Sequence, residues 1–387
     1  MRNLKKVLSI TAAAAMAVST VTPVSVFAES EETFKIGVIG PMTGDYAQYG
    51  NGVYNAAKIA ADEINANGGF NGYQVEILDA GDDQGDPEKA VNAYNDLLDQ
   101  GMQMLCGTVT SGACIAVGAE AADSTFLFTP SATAVESIQY DNAFRMCFSD
   151  PNQGSASADY IADNNLAKKV AVIYNSSDTY SSGIYQNFVT EAEKKGLEVV
   201  AAKAFTADNK TDFSVQIQKA KDAGAELVFL PIYYQEASLI LAQANKAGFS
   251  PKWFGCDGMD GILDLEGFDA SLAENLMFLT PFTANATDDA TQKFVADFKD
   301  AFGDTPIQFA ADAYDCVYAI KAAAEKENIT PDMSASDICD ALKKGMTEIT
   351  YDGLTGKSIT WSEDGEPTKD PTVVVVQNGE YQVLEAK

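Results

Sequence analysis

No histidine occurs in this chain of 387 residues. Its absence removes Ser-His-Asp and Cys-His activation of a nucleophile, the commonest imidazole metal ligand, and the usual general base near neutral pH. Carboxylate or lysine chemistry would have to serve instead, and no paired-acid constellation can be placed, so a non-enzymatic role without cofactor or metal is expected. Basic side chains are scarce too, 26 Lys and Arg against 56 Asp and Glu. Binders of nucleic acid or of an anionic membrane surface select basic patches, so neither partner is expected. The six cysteines (Cys106, Cys114, Cys147, Cys256, Cys316, Cys339) are too few and too scattered for a disulfide scaffold. Cys106 and Cys114 are the nearest candidates for a pair in an exported protein; otherwise all six are small buried hydrophobes.

One long apolar run is present, at the amino end. Arg2, Lys5 and Lys6 precede an apolar stretch from Val7 through Val21, and "SVFA" offers small residues before a cut after Ala28. This reads as a signal peptide over residues 1–28, because the run is short of the roughly 20 apolar residues of a membrane span and contains Ser9, Thr11, Ser19 and Thr20. An exported protein, periplasmic or extracellular, is expected. Losing three cations and no acids takes the formal charge from −30 to −33, which suits solubility.

After the leader the chain alternates between short apolar runs and helical periodicity. "FKIGVIG" (Phe34 to Gly40) ends in a Gly-rich loop, and Val53, Ala56, Ala57, Ala60 and Ile64 follow at helical spacing. "YQVEILDA" predicts a second strand; Asp86-Pro87-Glu88 opens a helix that runs to Gln100 and stops at Gly101. "MQMLC" predicts a third strand, with Ser111 at the cap of a helix from Gly112 to Ala122, and "TFLF" a fourth. A second series repeats the plan: "KVAVIYN", a helix near Ser182 to Lys195, "LEVVAA", a helix near Asp212 to Ala223, "ELVFLPIYY", a helix from Gln235 to Ala247, and "KWFGCDG". Past Leu279 come three helical stretches and short strands around "KSITW", "TVVVVQ" and "EYQVLE", the last two joined by an Asn378-Gly379 hairpin signal. The pattern predicts an α/β fold of two doubly wound parallel-sheet lobes joined by a hinge. Lobe one is expected over residues 33–149 plus 282–350, and lobe two over 150–281 plus 351–387. The polar stretch Ser149 to Gly154 reads as the first passage between lobes, the region near Thr280 to Ala284 as the second, and Tyr351 to Gly356 as the third.

Ligands of open parallel sheets sit beyond the carboxyl ends of the strands, and a two-lobed molecule adds a cleft there. The uncharged stretch "CGTVTSGACIA" (Cys106 to Ala116) places Thr110 and Ser111 at such a strand end and at a helix start, whose free N–H groups favour a small anion. "TPSATA" (Thr129 to Ala134) adds Ser131 and Thr133 at the neighbouring strand end. Neither loop contains Arg or Lys and no phosphate-loop pattern is present, so one carboxylate fits better than a phosphate. In the other series Tyr233 and Asp257 stand at successive strand ends, a phenol and a carboxylate suited to an ammonium. Tyr49, Tyr180 and Phe309 supply aromatic surface from loops. Together they suggest a zwitterion held between the lobes.

The chain resembles the type I periplasmic binding proteins for branched-chain amino acids, the leucine/isoleucine/valine-binding group of ABC importers. The resemblance runs from "KIGVIGPMTGDYAQYGNGVYNAAKIAADEINANGG" through "DDQGDPEKAV", "FTPSATA" and "ILAQANKAGF" to "AADAYDCVYAI". It implies an amino-acid ligand, branched-chain or otherwise apolar, an ABC permease as membrane partner, and a monomer. It assigns the ligand carboxylate to Ser111, Ser131 and Thr133 with main-chain help, the ammonium to Tyr233, Asp257 and the carbonyl of Ser131, and the side-chain enclosure to Tyr49, Val109, Tyr180 and Phe309. The sequence departs from that family at Asp257, where a Glu is common, and at Gln84 and Thr110, which stand where a lobe-one disulfide would be. A sensory receptor domain for amino acids or related carboxylates, closing without transport, is the alternative.

Overall fold

The computed structural model describes residues 32–122 and 124–384; the expected signal peptide lies outside them. The first lobe begins with β1 (Thr33–Gly40), α1 (Ala47–Ala66), β2 (Gln74–Ile77), β3 (Gly81–Asp82), α2 (Pro87–Asp99), β4 (Met104–Gly107), α3 (Ser111–Ala121), β5 (Phe126–Thr129) and β6 (Ala143–Arg145). These strands form one parallel sheet in the order β2-β1-β4-β5-β6, with β3 pairing the end of β1. Both β4 and β5 are buried along their whole length, as strands covered on both faces must be. The start of α2 is set locally: Asp86 accepts from Lys89 N at 3.0 Å and Pro87 takes the first helical position.

The chain then enters the second lobe through α4 (Asp150–Asp163) and continues as β7 (Lys169–Asn175), α5 (Thr179–Lys195), β8 (Glu198–Phe205), α6 (Ser214–Asp222), β9 (Leu227–Leu230), α7 (Tyr234–Lys246), β10 (Lys252–Gly255) and β11 (Met277–Thr280). It returns to the first lobe for α8 (Asp289–Phe302), α9 (Gln308–Glu327) and α10 (Ala335–Glu348), and ends in the second with β12 (Thr372–Gln377) and β13 (Glu380–Val383). The second sheet runs β13-β12-β11-β10-β9-β7-β8. It is parallel except at the β11-β12-β13 edge, where Asn378 and Gly379 make the hairpin turn with φ of 55° and 78°.

Two readings differ from the sequence-based expectation, and the first passage, placed as expected, is helical. The polar stretch Ser149 to Gly154 opens α4, capped by Ser149, whose hydroxyl accepts from Asn152 N at 3.4 Å. This helix lies so close to α5 that a Cβ on Gly154 would stand 2.7 Å from Ile184 O and Phe188 N. "KSITW" makes isolated bridges, Tyr351 to Ile359 and Trp361 to Pro367, and no strand. Residues 351–369 also stay with the first lobe. Asp315 of α9 accepts from Leu354 N, Thr355 N and the Thr355 hydroxyl at 2.6–2.9 Å. Trp361 Nε1 donates to Arg145 O at 2.8 Å, and Lys369 Nζ donates to Met146 O and Asp312 Oδ1 at 3.0 and 2.6 Å. The third passage therefore falls near Asp370, later than the 351–356 expected, because these buried polar groups find their partners on the first lobe.

All six cysteines are buried and no disulfide joins any two of them, so Cys106 and Cys114 are not paired. Cys114 Sγ instead contacts Ser137 O at 3.6 Å, while Cys106 lies beside Cys316. Among the described residues no helix is long and apolar enough to cross a membrane.

Candidate functional site

The first wall is built by two loops that leave adjacent parallel strands, β4 and β5. They are stitched together by their own hydroxyls. Thr129 Oγ1 donates to Thr108 O at 2.6 Å, Ser131 Oγ donates to Val109 O at 2.9 Å, and Ser111 Oγ accepts from Ala134 N at 3.1 Å. Ser111 thus ties one loop to the other, and Thr110, the residue before α3, makes no side-chain cap bond. The hydroxyl of Thr110 is buried without a partner, while those of Thr108 and Thr133, also short of a full hydrogen bond, face the Cys114 thiol and the Asp150 carboxyl. An orphaned buried donor costs about 1–3 kcal/mol, so Thr110 and Thr133, at the ends of the two loops, mark a place where an added polar group would be stabilised. The wall's first turn of α3 carries no acid to oppose an anion.

The second wall has the opposite character. Asp257, at the end of β10, is 2% exposed. Its Oδ1 accepts from Tyr180 OH at 2.7 Å and from Gly258 N at 2.8 Å, and its own N–H donates to Gln153 Oε1 at 3.1 Å. Burial pushes the Asp257 carboxyl up to about 7; the Tyr180 hydroxyl, Gln153 and Gly258 N pull it down, and the Asp312 charge adds a further push upward. Tyr180 and Tyr233 stack face to face, ring centres 4.7 Å apart and 7° from coplanar. Gly258 has to be glycine, since a Cβ there would stand 2.7 Å from the Tyr180 hydroxyl and 3.0 Å from the Tyr233 ring.

The walls touch. Tyr49 of α1 donates to Gly258 O at 2.6 Å, meets Phe309 edge-on at 4.7 Å and reaches Tyr233 at 6.0 Å. Gln308 Nε2 donates to Asp257 O at 2.9 Å, and α3 packs against α5. At the rim, Tyr46 OH donates to Glu236 Oε1 at 2.7 Å, Tyr234 OH to Asp45 O at 2.9 Å, and Lys210 Nζ lies 2.7 Å from Asp45 and 3.4 Å from Glu236. The described conformation is therefore closed. A cavity of about 440 Å³ lies against α1 and the segment that leads into α9, lined by Gln48, Asn51, Asn55, Asp264 and Ile307 among others.

Of the expected residues, Tyr49, Tyr180, Tyr233, Asp257 and Phe309 form one contact cluster, and Val109, Ser111 and Ser131 belong to the stitched loops. Thr133 leads from one group to the other through α4. Its carbonyl accepts from Asp150 N at 2.8 Å, and one turn on Gln153 holds the backbone of Asp257. Asp150 was not singled out from the sequence. It is 2% exposed, its Oδ1 has no partner, and burial drives its carboxyl well above the usual range, with the Thr133 hydroxyl and Arg145 opposing and Asp257 reinforcing. The only sequence signal was a helix start, Ser149-Asp150-Pro151, inside a stretch polar enough to read as a linker. The arrangement can offer unfilled hydroxyl donors to an anion and two buried carboxylates with a phenol to a cation.

A family model described as periplasmic binding protein matches residues 33–380. The chain is similar to Leu/Ile/Val-binding protein homolog 3 of Brucella melitensis biotype 1, 32% identical over 86% of this chain and 88% of that protein. It is also similar to the leucine-, isoleucine-, valine-, threonine- and alanine-binding protein of Pseudomonas aeruginosa, 30% identical over 91% of each chain. Among solved structures, the branched-chain amino acid transporter substrate binding protein LivJ of Streptococcus pneumoniae, in complex with isoleucine, superposes with a TM-score of 0.81. It is 29% identical and covers 91% of this chain and 99% of that one.

Proposed function

The chain belongs to the periplasmic binding protein family, and from that premise we propose that it is an exported solute-binding protein, periplasmic or extracellular. It captures an apolar amino acid between its lobes and delivers it to an ABC permease. Relatives named for leucine, isoleucine and valine support the ligand class. The observation that carries the reading is the pairing of an uncharged wall holding unfilled hydroxyls with a wall holding buried acids. A zwitterion satisfies both at once, each charge-assisted bond contributing about 1.5–3 kcal/mol.

In this reading Ser111, Ser131 and Thr133, with the main chain of their loops, take the carboxylate. Tyr233 and Asp257 take the ammonium, with Asp150 as a second acid, and Val109, Tyr49, Tyr180 and Phe309 enclose the side chain. The lobes are residues 33–149 and 282–369 on one side, 150–281 and 370–384 on the other, and the protein acts as a monomer. Loading onto the first wall followed by closure turns ligand binding into a shift of an open-closed equilibrium. A melting screen against the common amino acids tests this. At a ligand concentration about a hundredfold above Kd the stabilisation is about 2.7 kcal/mol, so leucine, isoleucine or valine should raise Tm by several degrees, and their amides and deaminated acids, each keeping only one of the two charged ends, by less. A panel in which no amino acid moves Tm would end the proposal.

A further inference from the structure

Two arginines occur in the whole chain, Arg2 in the leader and Arg145. Arg145 is 1% exposed, the largest fully buried side chain of the described residues. It ends β6 directly behind the second hydroxyl loop, and it holds three successive carbonyls of that loop with one nitrogen. Nη1 donates to Thr133 O at 2.6 Å, to Ala134 O at 3.0 Å and to Ala132 O at 3.4 Å. Nε lies 2.9 Å from Glu366 Oε2, whose side chain is 40% exposed. The arginine backbone is gripped as well: its N–H donates to Gly365 O at 3.1 Å and its carbonyl accepts from Trp361 Nε1 at 2.8 Å.

Burying a guanidinium is costly unless each donor is used and a counter-charge is near. A purely structural tie across residues 132–134 could be made by a neutral donor. What a neutral donor cannot supply is charge, and the loops in front contain none. We propose, resting on the amino-acid reading above, that Arg145 is the positioning residue and the electrostatic backing of the carboxylate subsite. It fixes the carbonyls of Ala132, Thr133 and Ala134 on the far side of the loop and places a positive charge one peptide layer behind Thr133. Glu366, from the strap over residues 351–369, sets how much of that charge the ligand feels. The other titratable groups facing Arg145 are Asp150, whose carboxyl it pulls down against burial, and the neutral thiols of Cys114 and Cys147, which burial raises and Arg145 opposes.

The two roles separate by sign. If Arg145 only braces the loop, loss of the Glu366 carboxylate loosens the brace and weakens every ligand. If its charge also reaches the ligand, the same change strengthens binding of a carboxylate. Calorimetry on the full-length protein at pH 7 with L-isoleucine and L-isoleucinamide reads the difference. Glu366→Gln is expected to tighten isoleucine about threefold to tenfold and to leave isoleucinamide within about twofold. Arg145→Lys, which keeps the charge but not the planar fork, should weaken both ligands. Arg145→Met should lose roughly tenfold or more on isoleucine beyond its loss on the amide. Equal weakening of both ligands by Glu366→Gln overturns the electrostatic role, and a cooperatively folded Arg145→Met protein with wild-type isoleucine affinity overturns the whole proposal. If the wild-type protein binds neither compound nor any other amino acid, the reading of function falls first.

Discussion

The two walls of the cleft prepare for their ligand in opposite ways. On the first lobe the hydroxyls are arranged by bonds among themselves, Ser131 to Val109 and Ser111 to Ala134, and no formal charge lies in either loop. Dehydrating such a wall costs less than dehydrating the acid opposite, since dipoles are cheaper to take out of water than ions. On the second lobe Asp257 is buried beneath Tyr180, and its carboxyl has risen to about 7. Electrostatic strain therefore falls on one side of the cleft alone. In the proposed reading an arriving ammonium relieves that strain, and an arriving carboxylate meets hydroxyls that carry no charge. The ligand's two ends should consequently differ in how they respond to mutation, to pH and to closure.

The largest effect is expected from Asp257→Asn. Deleting one partner of a buried charge pair costs about 2–5 kcal/mol, so Kd should rise by about a hundredfold in calorimetry. Tm without ligand should not fall, because the amide keeps the acceptor for Tyr180 and carries no charge into the interior. A drop in the unliganded Tm with unchanged affinity would assign Asp257 to the scaffold. Next is the opposite wall: replacing Ser111 and Thr133 together by Ala should weaken binding by roughly tenfold or more, with some loss of unliganded stability because Ala134 N loses its acceptor. Unchanged affinity would take both residues out of the site.

The pH response should come from the second wall. In the folded, empty protein Asp257 holds its proton more tightly than in the unfolded chain, and the bound ammonium requires the carboxylate. Below pH 7 binding must expel that proton, so affinity should fall by up to about tenfold per pH unit, with a proton released per ligand in buffers of different ionisation heat. Asp150, raised in the same direction and facing the same region, broadens the transition. A flat affinity from pH 8 to 6 would contradict this account. The smallest effect belongs to the rim. Lys210→Ala removes the ion pair to Asp45, which joins the lobes, and the one to Glu236 within the second lobe; neither touches the ligand in this reading, so all amino acids should weaken alike, by about twofold to fivefold. Loss confined to one ligand would place Lys210 in the pocket.

Alternation of apolar strands with periodic helices was legible because each βα unit carries its own signal, as Asp86-Pro87 does at the start of α2. The helix α4 was not, since "DPNQGSASADYIAD" has poor helix formers, and its stability comes from contact with α5 across Gly154. The same blind spot hid Asp150 and Gln153, which acquire meaning only when α4 brings them between Thr133 and Asp257. Tyr233 and Asp257 could be named from strand ends alone, whereas the bond from Tyr180 to Asp257 joins residues far apart in sequence and had no local trace. "KSITW" misled because its alternation is real but its partners are Arg145 and the first lobe.

The strap over residues 351–369 has a bearing on assembly. Arg145, Met146 and Asp312 emerge during synthesis before Trp361, Glu366 and Lys369 that complete them. Until that tail arrives, a guanidinium and a carboxylate at the heart of the first lobe lack counter-ions, so the half-made molecule is held back from collapsing into its final shape. A polypeptide threaded amino end first through a translocation channel would stay pliable for most of its passage and acquire its ligand pocket in one late step.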